Sequence, residues 1–159
     1  MLRFSRHSHL CVNQSLSKMK SENDLILLYD GVCGFCNSTV LLIIKYDKKG
    51  TLRFAAIQST FAKSMVERYL SLKEINSLVL IKSFNSPKEK VFIRSAGALV
   101  IARYLGGMWN LFLIGYIIPS VARDWLYDIF AKYRYRLFGK YDSCLLPPPE
   151  VRSRFIDLS

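Results

Sequence analysis

Short apolar runs alternate with longer amphipathic stretches along most of this chain. The run at 25–29 is continuously apolar, which is typical of a strand buried on both faces. Further apolar runs at 52–56, 77–81 and 91–93 predict three more strands. Turn residues at 84–87 join the last two as a hairpin. The pattern therefore predicts a sheet of four short strands.

Apolar residues at helical spacing predict helices between these strands. The first helix is expected at 33–46, the second at 60–72 and the third from residue 95 to a Gly-Gly pair. Thr60 and Ser95 are the residue types that cap helix N-termini, so we expect them to cap the second and third helices.

The resulting order is strand, helix, strand, helix, strand, strand, helix. Alternating units predict parallel pairing with right-handed crossovers, and the final hairpin adds an antiparallel edge. This is the order of the thioredoxin-like fold. We therefore predict an α/β domain of that class over 24–156, with an additional C-terminal helical segment, because 159 residues suffice for one domain.

The C-terminal part of the chain, at 109–141, is rich in aromatic residues, and its pattern predicts helices. The apolar stretch 109–121 is too short to span a bilayer, which needs roughly 20 residues. It is predicted to be a core or capping helix, and the alternative is a helix lying on anionic lipid.

Residues 123–141 predict an amphipathic helix. The side chains predicted to face inward are Trp125, Ile129, Phe130, Tyr133 and Leu137. Those predicted to form a basic outer face are Lys132, Arg136 and Lys140.

The first 23 residues differ from the rest, since they are basic, rich in serine and contain no acid before Glu22. They are interpreted as a disordered extension, with Met19 as an alternative start, or as a targeting peptide. No secretory signal is recognisable, so we expect a reducing, cytoplasmic location, or an organellar one if residues 1–23 direct import.

Composition and charge narrow the function classes. Hydrophobic residues make up 51% and charged residues 22%, as in a folded globular protein. The net charge of +11 favours contact with polyanions, and the alternative is a solvated basic surface without a dedicated partner. A weak contact with an anionic membrane surface fits this charge. Nucleic-acid binding is not expected, because no recognition motif accompanies the charge.

The pair Cys33 and Cys36 carries the most specific chemistry. It follows the first predicted strand and opens the first predicted helix. A helix N-terminus stabilises a thiolate through its unpaired amides and its dipole, and the two-residue spacing allows a disulfide. We predict thiol–disulfide exchange with Cys33 as the nucleophile and Cys36 as the resolving thiol. The alternative function is a non-enzymatic protein that binds a membrane or a partner through a basic face.

A zinc site is the chemical alternative to a redox pair, and it needs about four ligands, usually as two such pairs. The remaining candidates are His7, His9, Cys11 and Cys144, and no second ligand pair is present. No metal or cofactor is therefore predicted.

Asp30 precedes the cysteine pair and has two interpretations. As a turn residue it would accept backbone amides. As a carboxylate near Cys36 it would accept a proton during resolution, as a general base. Its negative charge would oppose acidification of a nearby thiol.

Several segments resemble the DCC family of thiol–disulfide oxidoreductases, which is named for its Asp, Cys and Cys. The match is strongest at 29–37, Tyr-Asp-Gly-Val-Cys-Gly-Phe-Cys-Asn. It continues at 53–59, 94–99, 134–136 and 152–155. The resemblance implies a thioredoxin-like fold and exchange with protein or small-molecule disulfides.

Two features qualify this resemblance, which covers about 24–156. Ordinary thioredoxins place a cis-proline before the third strand, whereas this chain has Ile75-Asn76-Ser77 there, so substrate handling is expected to differ. Cys144 matches the family pattern, and it is either an additional redox thiol or a buried structural cysteine.

Overall fold

The computed structural model describes residues 24–69, 78–142 and 147–157. The expectations for residues 1–23, for the segment 75–77 and for Cys144 lie outside the described residues. They remain predictions, as does the domain boundary at residue 24.

Four strands form one sheet in the order β2-β1-β3-β4. These are β1 (Leu25–Tyr29), β2 (Leu52–Ala56), β3 (Val79–Lys82) and β4 (Lys90–Ile93). β1 and β2 are parallel, whereas β3 is antiparallel to both β1 and β4. The expectation of parallel pairing is therefore wrong for β3. The alternation of helices and strands does not determine the direction in which a strand runs through the sheet.

Helices lie between the strands and after the hairpin. They are α1 (Gly34–Tyr46), α2 (Thr60–Arg68), α3 (Arg94–Leu105) and α4 (Ser120–Phe138), with 3-10 helices at Gly107–Ile117 and Pro149–Arg154. The element order and the mixed sheet are those of a thioredoxin-like α/β fold with added C-terminal helices, as predicted.

The central strand β1 is buried along its whole length, and its alternate residues face two core clusters. Ile26 and Leu28 pack with Phe61 of α2, while Leu27 packs with Ile43 of α1. Full burial of each such side chain contributes about 1.5–3 kcal/mol. The strand therefore gives a rigid support to the residues that directly follow it.

Two predicted caps are wrong in detail. Ser59, and not Thr60, caps α2, because its hydroxyl oxygen accepts a first-turn amide at 3.2 Å. α3 begins at Arg94, so Ser95 lies within its first turn and makes no cap hydrogen bond. The Ser95 hydroxyl instead donates to the carboxylate of Asp124 on α4, a stronger acceptor than an uncharged group.

The predicted inward face of α4 is largely wrong. Trp125 is 64% exposed and Leu137 67% exposed, and Ile129 and Tyr133 also lie on the exposed side. Only Arg134 of this helix is buried. The apolar and aromatic residues of α4 are distributed around all sides of the helix, so their spacing does not identify the side that docks on the domain. Specific polar contacts determine that side instead. The predicted basic residues Lys132, Arg136 and Lys140 are exposed.

Of the core or capping helix expected at 109–121, the core interpretation is wrong. The 3-10 helix Gly107–Ile117 contains no buried residue, and Met108 and Ile117 are 78% and 81% exposed. Within the described part of the chain, no helix is long and apolar enough to cross a membrane.

Candidate redox site

The cysteine pair lies at the junction between the buried strand β1 and the start of α1. Cys33 is the N-cap residue of α1, and its own amide donates to the carbonyl of Asp30 at 3.2 Å. The Cys33 sulfur accepts the backbone N–H of Cys36 at 3.4 Å. Both cysteines are free thiols. The sulfur of Cys33 thus occupies the position at which a helix N-terminus best stabilises an anion.

The two thiols differ in their accessibility to solvent. Cys33 is fully buried, whereas Cys36 is partly exposed. The segment 139–141 covers Cys33: Lys140 forms an isolated antiparallel bridge with it, and the Tyr141 amide donates to the carbonyl of Val32 at 2.8 Å. The sequence pattern contains no signal for this cover, because it is a contact between distant segments.

Gly34 is required for the close approach of this cover. Its amide donates to the carbonyl of Gly139 at 3.3 Å. A Cβ atom at position 34 would lie 2.3 Å from the carbonyl oxygen of Phe138, which is shorter than any tolerable contact. The neighbouring Phe35 ring packs on Phe138, with 5.0 Å between ring centroids, and on Phe130 at 4.7 Å.

Asp30 is buried below the pair and accepts four hydrogen bonds. Oδ1 accepts from the amide of Val32 at 3.2 Å and from Gln58 Nε2 at 2.9 Å. Oδ2 accepts from Arg134 Nη2 at 3.0 Å and from the hydroxyl of Tyr135. A carboxylate offers about four acceptor positions, so all of them are in use.

Two amide side chains hold the loop before the cysteines in place. Gln58 Oε1 accepts the Gly31 amide at 3.2 Å. Asn37 Nδ2 donates to the carbonyls of Gly31 at 2.7 Å and Cys33 at 3.0 Å. Asn37 belongs to the matched motif and Gln58 to another matched segment, so the family resemblance was the signal that could have identified both.

Arg134 is the charged group that sequence reasoning did not assign. It pairs with Asp30, and both side chains are at most 4% exposed. Its Nε atom is buried and has no hydrogen-bond partner among the described residues. Burial opposes its charge, but the Tyr135 hydroxyl and the neighbouring Cys36 and Cys33 raise the pKa of Arg134 overall. A permanent positive charge therefore lies beside the cysteine pair.

Cys36 is held in its protonated form. Burial first, and then its hydrogen bond with Cys33, raise the pKa of the Cys36 thiol from 9.0 to about 12, against the lowering effect of Arg134. Cys36 therefore keeps its proton at neutral pH. Its retained proton suits Cys36 to a later step of an exchange reaction.

Among the described residues, no group of three or more His, Cys, Asp or Glu side chains could hold a metal ion. His7, His9, Cys11 and Cys144 lie outside those residues. The expectation that the pair serves redox chemistry without a metal or cofactor remains a prediction.

Residues 27–140 match a family model described as DCC1-like thiol-disulfide oxidoreductase. The chain belongs to this family. The matched range contains the cysteine pair, Asp30, Arg134 and the covering residue Lys140.

Two relatives support the assignment. The chain is 36% identical over 132 residues to the uncharacterized protein YuxK of Bacillus subtilis, covering 82% of this chain and 93% of that protein. It is 31% identical over 137 residues to the chloroplastic DCC family protein At1g52590 of Arabidopsis thaliana, covering 85% of this chain and 77% of that protein. No solved structure matches the chain.

Proposed function

We propose that this protein is a thiol–disulfide oxidoreductase whose redox centre is the pair Cys33 and Cys36. The observation that carries the proposal is the hydrogen bond from the Cys36 amide to the Cys33 sulfur at the first turn of α1. That amide stabilises negative charge on Cys33, while the Cys36 thiol retains its proton. The substrate is a disulfide or dithiol of a protein or small molecule.

In the first step, the Cys33 thiolate attacks one sulfur of a substrate disulfide. A bond forms between Cys33 and that sulfur, the substrate S–S bond breaks, and the second substrate sulfur leaves as a thiolate. In the second step, Cys36 loses its proton and attacks the Cys33 sulfur, which releases the first substrate sulfur as a thiolate. One of the two substrate thiolates takes up the proton that Cys36 releases and becomes a thiol. Two electrons pass from the dithiol to the substrate, and the protein retains a Cys33–Cys36 disulfide.

Arg134 assists the second step in this account. Its positive charge lowers the pKa of Cys36 against the effect of burial, so it favours the Cys36 thiolate that resolves the mixed disulfide. Its Nε adds a donor that has no acceptor among the described residues. Arg134 therefore has an electrostatic role in the reaction.

Asp30 has a positioning role in the proposal. Its four acceptor positions are occupied by donors, one of which is the charged Arg134. A proton from Cys36 would have to displace one of these donors, because no acceptor position is left open. We favour the interpretation in which Asp30 orders the turn and holds Arg134, over the one in which it accepts the Cys36 proton.

Substrate access to Cys33 requires the segment 139–141 to separate from residues 32–34. Two backbone hydrogen bonds join these segments, at 3.3 Å and 2.8 Å. Each contributes about 1 kcal/mol, so local separation is feasible without unfolding the sheet.

Catalysed reduction of a disulfide, with dithiothreitol as the electron donor, tests the proposal. The wild-type protein should accelerate the reaction, and Cys33→Ser should abolish the acceleration. Cys144→Ser is the matched control, and it also tests the additional thiol: full activity in this variant shows that the reaction does not require Cys144. Full activity in Cys33→Ser would overturn the proposal.

A second candidate function is peripheral binding to an anionic membrane surface. The observation that favours it is the exposed apolar surface formed by the 3-10 helix Gly107–Ile117 and the start of α4, where Ile117 and Val121 are each 81% exposed. Such a surface on a chain of charge +11 suits an interface of acyl chains and acidic headgroups.

Sedimentation with phosphatidylcholine vesicles, with and without phosphatidylserine, tests this second candidate. Binding should require phosphatidylserine, weaken with salt, and be lost in Ile117→Asp. Asn85→Asp, at the β3–β4 turn, adds the same charge elsewhere and should still bind. Absence of binding at low salt would remove the candidate.

The location of the protein also remains a proposal. We favour the cytoplasm, with an organelle as the alternative. Fractionation of the cells that make the protein, followed by immunodetection in the cytosolic and organellar fractions, distinguishes the two.

A further inference from the structure

A cavity of about 610 Å³ lies between α1, α3, α4 and the 3-10 helix Gly107–Ile117. Its wall is almost entirely hydrocarbon, and it includes Phe35, Leu99 and Phe130. Cavities of 300–1,000 Å³ with apolar walls are typical of small-molecule sites. The proposed exchange chemistry uses no part of this space beyond the Phe35 ring.

The mouth of the cavity lies in the exposed apolar surface. Phe112, Ile118 and Leu126 line the cavity and are 62%, 43% and 54% exposed. A molecule entering here passes between apolar side chains at both the surface and the interior. This route favours a hydrocarbon chain over a polar metabolite, whose desolvation would not be compensated.

One cationic side chain lines the cavity. Arg123 donates from Nε to the Ser95 hydroxyl oxygen at 2.8 Å and from Nη1 to the Gly115 carbonyl at 3.1 Å. Arg123 forms no ion pair with a carboxylate among the described residues, although Ser95 donates in turn to Asp124. Arg123 therefore retains donor capacity for an anionic head at the edge of an apolar space.

We propose that this cavity binds a single-chain lipid carboxylate, with its hydrocarbon tail among the apolar side chains and its carboxylate on Arg123. The site is distinct from the cysteine pair, and binding does not depend on thiol chemistry. The cavity volume is in the range of sites that hold one small molecule, which suits a single acyl chain. The cation explains why a carboxylate is favoured over an ester of the same chain.

Isothermal titration of the full chain with oleate, below its micellar concentration, tests the proposal. Oleate should bind with one-to-one stoichiometry. Ala98→Phe places a ring in the cavity and should weaken binding by about tenfold or more. Ala122→Phe makes the same change at an exposed position of α4 that does not line the cavity, and it should bind like wild type.

The head group is tested with methyl oleate. Arg123→Gln should weaken oleate binding by about tenfold and leave methyl oleate binding unchanged. Equal effects on both ligands would overturn the assignment of the carboxylate. Absence of oleate binding, or equal binding by Ala98→Phe and Ala122→Phe, would overturn the site.

A photoreactive fatty acid with a diazirine in its tail tests the site in the wild-type protein, so the result does not depend on whether a variant folds. Crosslinks should fall within the elements that line the cavity, which are α1, α3, α4 and the 3-10 helix Gly107–Ile117. Labelling confined to other segments would contradict the proposal.

Discussion

Arg134 and Asp30 form a buried ion pair, with 3.0 Å between Nη2 and Oδ2, although the two residues are 104 positions apart in the chain. The pair joins the C-terminal half of α4 to the turn that precedes Cys33. It fixes a positive charge beside the two thiols, and so makes α4 part of the proposed redox site.

Removing the cation from this pair should destabilise the fold. Arg134→Met leaves the Asp30 carboxylate buried without its partner, a change that typically costs about 3–5 kcal/mol. Denaturant unfolding measures the loss. Asp128→Asn breaks the exposed ion pair between Arg94 and Asp128 and should cost less than about 1 kcal/mol. Equal losses in the two variants would contradict the structural importance of the buried pair.

Arg134 should also affect the second step of exchange. Arg134→Gln removes the charge that lowers the pKa of Cys36, so the mixed disulfide should persist longer, while its formation is less affected. Rapid quenching followed by mass measurement of the trapped intermediate separates the two steps. Arg136→Gln, on the exposed side of α4, is the control and should behave like wild type. An unchanged lifetime in Arg134→Gln would show that Arg134 has no part in resolution.

Gly34→Ala should uncover Cys33. The added Cβ would lie 2.3 Å from the Phe138 carbonyl oxygen, so the segment 139–141 has to move away. Alkylation of Cys33 by iodoacetamide should then be faster than in wild type. Gly50→Ala is the control for general destabilisation, because Gly50 has a positive φ of 64° and no atom within 4 Å of its added Cβ. Faster alkylation in both variants would indicate global loosening instead of local uncovering.

Stability should fall at high pH in a way that depends on Cys36. Its pKa is raised in the fold, from 9.0 to about 12, so the folded protein retains a proton that the unfolded chain releases. The free energy of unfolding should therefore decrease as the pH rises from about 9 towards about 12. Cys36→Ala lacks this proton, and its stability should decline less over the same range. Parallel pH profiles for the two proteins would contradict the raised pKa.

Local patterns predicted the order of the elements and the place of the cysteine pair. The continuous apolar run of β1, the turn at Asp30 and the start of α1 are encoded by neighbouring residues, so sequence reasoning identified them. The strand direction of β3 and the docking face of α4 depend on contacts between distant segments, and there the predictions were wrong.

The same limit applies to the site. Cys33, Cys36 and Asp30 were recognised from their spacing and their place after a strand. Arg134 was not assigned, since a single arginine in a basic amphipathic stretch carries no sign that it will be buried. The cover formed by Gly139–Tyr141 was missed for a related reason, because backbone contacts do not depend on a recognisable side-chain pattern. The family resemblance marked 134–136 as significant without indicating a contact with Asp30.

The most direct test of the central claim is the identity of the cysteine that forms the mixed disulfide with substrate. Oxidised glutathione is added to Cys36→Ser and to Cys33→Ser, and the adducts are mapped by peptide mass spectrometry. The account predicts a stable adduct on Cys33 in Cys36→Ser and little reaction at Cys36 in Cys33→Ser, because Cys36 keeps its proton at neutral pH. Rapid adduct formation at Cys36, with Cys33 unreactive in the other variant, would contradict it.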